Sequence, residues 1–172
     1  GVYNGNNETT GDGRSDGAVL EANDRLTATG KVPFSDVDKD ADLTLSASLK
    51  GADKDGNLTV QVTDNGNRPV AGAEESIKVT GSHPDGDNPD VQVLETNYGE
   101  LRLNTLTGEY TFSLNTEMAQ HLAAGEKFVF SFTVTATDSH GAQGHHEIGV
   151  TVEGANDRPT LTLDHDKLDV SN

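Results

Sequence analysis

The chain has 172 residues, enough for one domain with a buried core. Its 12 Lys+Arg against 29 Asp+Glu leave a net charge of −17, which argues against nucleic acid or an anionic membrane as partner, because both need basic patches. It has no cysteine, hence no disulfide framework and no thiolate zinc site, and no apolar run of about 18 residues that spans a membrane.

Residues 1–18 (GVYNGNNETTGDGRSDGA) are glycine, asparagine and acid, a loop-rich leader. They carry neither the charged n-region nor the apolar h-region of a signal peptide, so the sequence reads as a piece of something longer. Leu26–Phe34 reads as a strand, with Pro33 at an edge or a bend. Leu43, Leu45, Ala47 and Leu49 alternate with polar residues, as do Leu58, Val60 and Val62 after the Asp55-Gly56 turn, and the spacing predicts a hairpin of the two. Residues 64–76 read as loop and Ile77-Lys78-Val79 as a short strand. Residues 81–90 (GSHPDGDNPD) read as a long irregular loop. Gly99–Leu103 and Tyr110–Leu114 are strands joined around Thr107-Gly108. Residues 115–124 are the only helical stretch, capped by Asn115 or Thr116, with Met118 and Leu122 set to pack on a sheet. Phe128 to Ala136 forms the longest predicted strand and Ile148 to Val152 its partner. Many short strands, turn-rich connections and one scrap of helix predict an all-β, antiparallel sandwich.

The most unusual stretch is Ser35–Asp42, with aspartates at 36, 38, 40 and 42. In an extended backbone these share one face, where four carboxylates repel each other. A hard cation that takes six to eight oxygens turns that repulsion into a site, and Ca²⁺ is the usual one. A solvated acidic loop is the alternative. Hydrophobic residues make up only 32%, so at this charge the chain is expected to be marginal or disordered unless something neutralises it, a role that bound cations could fill. Asp36, Asp38 and Asp40 are therefore metal candidates. Asp53 and Asp55 in the DKDGN turn, and Asp85, Asp87 and Asp90 in the 81–90 loop, are candidates for metal or ligand. The DKDGN turn departs from an EF-hand at its sixth and twelfth positions, Leu58 and Asp64, so that reading is rejected.

LTATGKVPFSDVDKDAD, YGELRLNTLTGEYTFSLN and QHLAAGEKFVFSFTVTATDSHGAQGHHEIGVTVEGANDRP together resemble a VCBS repeat. This is a bacterial Ig-like, cadherin-like module found in tandem in giant surface adhesins. The likeness covers residues 19–160, after the leader of 1–18 and before 161–172, which form a final strand or start the next module. It implies a Greek-key sandwich with long calcium-binding loops and several calcium ions. It also carries cadherin-type ligand roles onto Glu21, Asp36, Asp38, Asp138, Asn156 and Asp157, with antiparallel strands gathering such donors at one pole. The middle, about 50–98, is longer than in an ordinary repeat. In this it resembles the calcium-dependent ligand-binding modules, including peptide-binding ones, of RTX adhesins.

The resemblance implies an extracellular bacterial surface protein exported unfolded through a type I channel, next to other adhesin domains. Its expected partner is a peptide or protein on a target cell, or a glycan; the alternative role is a calcium-stiffened spacer. No Gly-x-Ser-x-Gly elbow, phosphate loop or His-Glu-x-x-His helix points to an enzyme. His145 and His146 are adjacent on a strand, so they face opposite sides and cannot chelate one ion; both are expected at the surface.

Overall fold

The computed structural model describes residues 19–21, 25–33, 43–154 and 159–164. The strands are β1 (Val19–Glu21), β2 (Arg25–Lys31), β3 (Thr44–Leu49), β4 (Asn57–Thr63), β5 (Pro69–Pro84), β6 (Val91–Thr96), β7 (Gly99–Asn104), β8 (Glu109–Asn115), β9 (Lys127–Thr137), β10 (Gln143–Glu153) and β11 (Thr160–Asp164). The fold is all-β and antiparallel, as its alternating apolar residues predict. The hydrogen-bonded order is β11-β10-β9-β4-β5-β6-β7-β8-β2-β1, with β3 also on β9. The sheet curls until β11 comes close to β2, nearly closing a barrel.

Opposite sides of the curled sheet meet over an aromatic core. The Phe112 ring of β8 lies 6.1 Å from Phe130 and 5.8 Å from Phe132 of β9, though these strands are not sheet neighbours. Tyr98, in the β6–β7 turn, meets Phe128 edge-on at 5.0 Å. Leu161 and Leu163 of β11 join the same core.

Four expectations need correction. β3 and β4 do not form a hairpin: β3 pairs with β9 and β4 with β5. Alternation marks the buried face of a strand but does not choose its partner. The 64–76 loop and short strand are replaced by β5, which at 16 residues is the longest strand and continues through Pro84 into the predicted 81–90 loop. Only Ile77 of β5 is fully buried, so β5 shows little apolar alternation. β6 went unread. The 115–124 helix is one 3₁₀ turn, Thr116–Ala119, whose Glu117 N–H donates to Asn115 Oδ1 at 3.2 Å. Thr116, Ala119 and Leu122 are buried at a three-residue period, and Met118 is left partly exposed.

β5 pairs with β4 over its first half and with β6 over its second, with a register break between Val79 and Gly81. Side-chain amides fill the gaps in the ladder. Asn97 Oδ1 accepts from Lys78 N at 2.8 Å while its Nδ2 donates to Ser76 O at 2.8 Å. Gln61 Nε2 donates to the carbonyls of Val70 at 2.8 Å and Ala73 at 2.9 Å, beside the β4–β5 irregularity. Pairing the exposed peptide groups this way avoids leaving carbonyls unmet at a break.

Candidate functional site

Three turns share one construction. Asp53, Asp64 and Asp138 each donate their N–H to the carbonyl four residues on, at 2.9, 2.8 and 2.9 Å. In each, Oδ1 accepts two backbone N–H groups: Asp55 and Asn57, Gly66 and Arg68, and His140 and Ala142. The fourth residue, Gly56, Asn67 or Gly141, has φ of 84, 63 or 85°, the left-handed region that glycine and asparagine tolerate. Aspartate heads these turns because its short carboxylate reaches both N–H groups. One oxygen each of Asp53 and Asp138 is therefore held by the turn. Asp64 belongs to the same set, although sequence reasoning passed it over; the Asp-x-x-Gly/Asn spacing was the available signal. The Arg68 N–H, with Gly66 N–H and the Arg68 guanidinium, holds its carboxyl below the ordinary value.

In the 85–90 loop the aspartates differ. Asp85 Oδ2 is 2.8 Å from Arg102 Nη2, and that carboxylate holds Arg102 above its ordinary pKa. Asp85 thus already has a cationic partner. The Asp90 carbonyl accepts the N–H and hydroxyl of Thr105, both at 2.8 Å, which pins the loop to the β7–β8 connection. The carboxylates of Asp87 and Asp90 make no hydrogen bond or ion pair among the described residues. Among the described residues the Asp55 carboxylate meets only Lys54 Nζ, at 3.9 Å.

The register assigns the candidates to two ends. Tyr98 O accepts the Asn115 N–H at 2.9 Å and its ring meets Phe128, so the finish of β8 and the start of β9 lie together. At the other end Thr137 pairs with Thr44, beside both Asp138 and Leu43. Val32 N donates to Gly108 O at 2.9 Å at the start of β8, also at this end. The residues that bracket the acidic run, Pro33 and Leu43, are thus placed at the end that carries Asp138 and, through Thr105, the 85–90 loop. Asp36, Asp38 and Asp40 themselves lie outside the described residues, as do Asn156 and Asp157. Glu21 pairs with Arg25, and Arg25 with Asn115, at the opposite end. Glu153 and Thr160, which bracket 155–158, are also there, paired with Lys127 and with each other. β10 has 11 residues, so about 35 Å separates the ends. Of the donors that the likeness assigns, the described strands place Glu21 and Asp138 at opposite ends. Among the described residues no three His, Asp or Glu side chains converge to hold a metal.

Elsewhere, the outer side of β5–β7 carries charge the sequence did not reveal. His83 Nε2 is 2.7 Å from Glu95 Oε2 and its Nδ1 is 2.9 Å from Pro84 O. Glu95 pairs across strands with Glu100, which bonds Arg102 at 3.2 Å. Glu95, Asn97, Glu100 and Asn115 edge an open hollow of about 110 Å³. Both ring nitrogens of His83 face acceptors, which favours the imidazolium; Glu95 is the main cause of its raised pKa. The His83 contribution to stability is therefore full below about pH 6.5, its unfolded value, and is lost as pH rises through the higher folded value. An NMR titration should give a His83 midpoint above that of free histidine, and Glu95→Gln should lower it. Contrary to the surface expectation, His146 is buried; His145, on the opposite face, meets Thr135 Oγ1 at 3.1 Å. Tyr98 OH donates to Glu75, which also meets His121 Nε2 at 2.6 Å; burial and then the carboxylate hold the phenol above its ordinary pKa.

No family model matches the chain, and neither a curated protein nor a solved structure shows significant similarity to it. Among the described residues no helix is long and apolar enough to cross a membrane.

Proposed function

We propose that this chain is a calcium-dependent ligand-binding domain of a bacterial surface RTX adhesin, with an Ig/cadherin-like Greek-key sandwich fold. On this reading it is exported through a type I channel and recognises peptide or protein ends on target cells. One observation carries the reading: a chain of net charge −17 places the brackets of its alternating aspartate run beside Asp138 and the acidic 85–90 loop. Carboxylates gathered this way repel one another unless a cation is shared among them.

Asp36, Asp38 and Asp40, with the carboxylate oxygen of Asp138 not bonded to its turn, would hold calcium at this end. Glu21, Asn156 and Asp157 would hold it at the other. Bound there, the ion supplies charge neutralisation and an attraction for a ligand carboxylate. The chain's own part is to keep the loop open and in place: Arg102 anchors Asp85, Thr105 anchors Asp90, and Asp87 and Asp90 keep carboxylates for ligand donors. The spacer reading is favoured by one separate observation: Glu21 and Asp138 stand at opposite ends, and a link between neighbouring domains needs donors at both.

Peptide and glycan arrays probed in calcium and in EGTA decide between them. Retention of free-ended peptides only in calcium is expected. Glycan retention alone would replace the peptide by a sugar, and arrays blank in both conditions would leave the spacer.

A further inference from the structure

Asn65 and Gly66 lie in the turn between β4 and β5 and form the only Asn-Gly pair among the described residues. Both are exposed, and the Asn65 carboxamide makes no hydrogen bond among those residues. Its carbon is an electrophile within ring-closing reach of the next backbone nitrogen, and Gly66 has no Cβ to obstruct the ring. That nitrogen attacks only as its anion, after its proton is lost. The turn acts on this step. The Gly66 N–H donates to Asp64 Oδ1 at 2.9 Å, the same oxygen that accepts the Arg68 N–H at 3.0 Å. A negative charge at that distance disfavours the amide anion, and the bond also fixes the direction of the nitrogen. The Arg68 guanidinium works the other way. Its Nε is 3.6 Å from Asp64 Oδ2 and would stand 3.3 Å from a Cβ added to Gly66. With Asp64 ionised the two charges offset each other; without Asp64 the guanidinium is left beside Gly66.

We propose that Asn65-Gly66 is a self-modification site whose reaction the Asp64 carboxylate holds back in the folded chain. The Gly66 nitrogen loses its proton and forms a bond to Asn65 Cγ. The Cγ–Nδ2 bond breaks, and the amide group leaves as ammonia, taking up a proton equivalent to the one Gly66 lost. Water then opens the succinimide at either carbonyl. One opening leaves an aspartate at position 65; the other leaves an isoaspartate, which carries the main chain through the former side chain and lengthens the turn. Either product adds a negative charge to a chain already at −17. Nothing in this chemistry depends on calcium or a ligand. Neighbouring candidates fit it less well. Asn57 is exposed but precedes Leu58, whose side chain hinders the ring, and Asn88 precedes Pro89, which has no N–H to lose. Asp55-Gly56 and Asp85-Gly86 offer a carboxylate, a poorer electrophile than a carboxamide at neutral pH. The Gly56 N–H is also held, by Asp53 O at 2.9 Å.

The test incubates the chain at mildly alkaline pH, folded in calcium and unfolded in concentrated urea, and follows deamidation by peptide mapping with mass spectrometry. In urea the change is expected at Asn65, with isoaspartate among the products, and not at Asn57 or Asn88. In the folded chain it should be several-fold slower. Asp64→Ala, shown by circular dichroism to be folded, should deamidate about threefold to tenfold faster than the unaltered folded chain, the effect of up to about one pKa unit at the Gly66 amide. Adding Arg68→Ala should take back part of that gain, since it removes the cation that favours the anion. No change at Asn65 in urea, or equal rates in the folded unaltered and Asp64→Ala chains, would overturn the proposal. If Asp64→Ala does not fold, Asp64→Asn decides: it keeps an oxygen for the two N–H groups but not the charge, so a rate above that of the unaltered chain sustains the role of the carboxylate and an unchanged rate rejects it.

Discussion

Gly99→Ala should destabilise the fold by about 3–5 kcal/mol, a backbone-strain cost and an overpacking cost together. Gly99 has φ of 145°, and an added Cβ would stand 2.0 Å from Ser113 O and 3.1 Å from Leu114 Cα. Both neighbours are backbone atoms of β8, which is paired on both sides and cannot retreat. The turn that Gly99 closes is itself tied, since Thr96 Oγ1 donates to Gly99 O at 2.8 Å and accepts the Tyr98 N–H at 3.1 Å. Gly72 is the control. Its φ is 74°, but nothing lies within 4 Å of an added Cβ, so Gly72→Ala should cost only the backbone term, about 1 kcal/mol. Urea unfolding of the two variants checks this, and equal losses would contradict the close approach of β7 and β8.

How much of this was legible beforehand depended on what each residue type announces. Phe128, Phe130 and Phe132 declare a buried face by themselves, and β9 with its partner β10 was read correctly. So were β7 and β8, because Leu101, Leu103, Tyr110, Phe112 and Leu114 alternate and a Thr-Gly turn lies between them. β5 was not, since its residues are mostly exposed and its stability comes from neighbours on both edges. The pairing of β3 with β9 joins residues more than eighty positions apart, which local periodicity does not encode. At the candidate site, the acidity of the 85–90 loop was plain, but Arg102, which claims Asp85, comes from a distant strand. Likewise the turn role of Asp138 was foreseeable from the Gly three residues later, whereas its place at the end that brackets the aspartate run was implied only by the family likeness.

Calcium removal is expected to produce the other large effect. A cation that binds only the folded chain stabilises it by about 2.7 kcal/mol at a hundred times its dissociation constant. At about 2–4 °C per kcal/mol for a chain of this size, each such site adds about 5–11 °C to Tm, so EGTA should lower the melt by about 10 °C or more. Magnesium should not restore it, because it resists shedding its water. The double change Asp36→Ala with Asp38→Ala should lower the melt in calcium and leave little for EGTA to remove. An alternative in which these acids only repel predicts the reverse: the double change would raise the melt in either condition.

The central claim is that bound calcium is part of this architecture. Equilibrium dialysis of the folded chain against calcium, at physiological ionic strength, tests it most directly. At least two ions per chain are predicted, reduced by Asp36→Ala with Asp38→Ala. A chain that binds none while keeping its cooperative thermal transition in EGTA would contradict it.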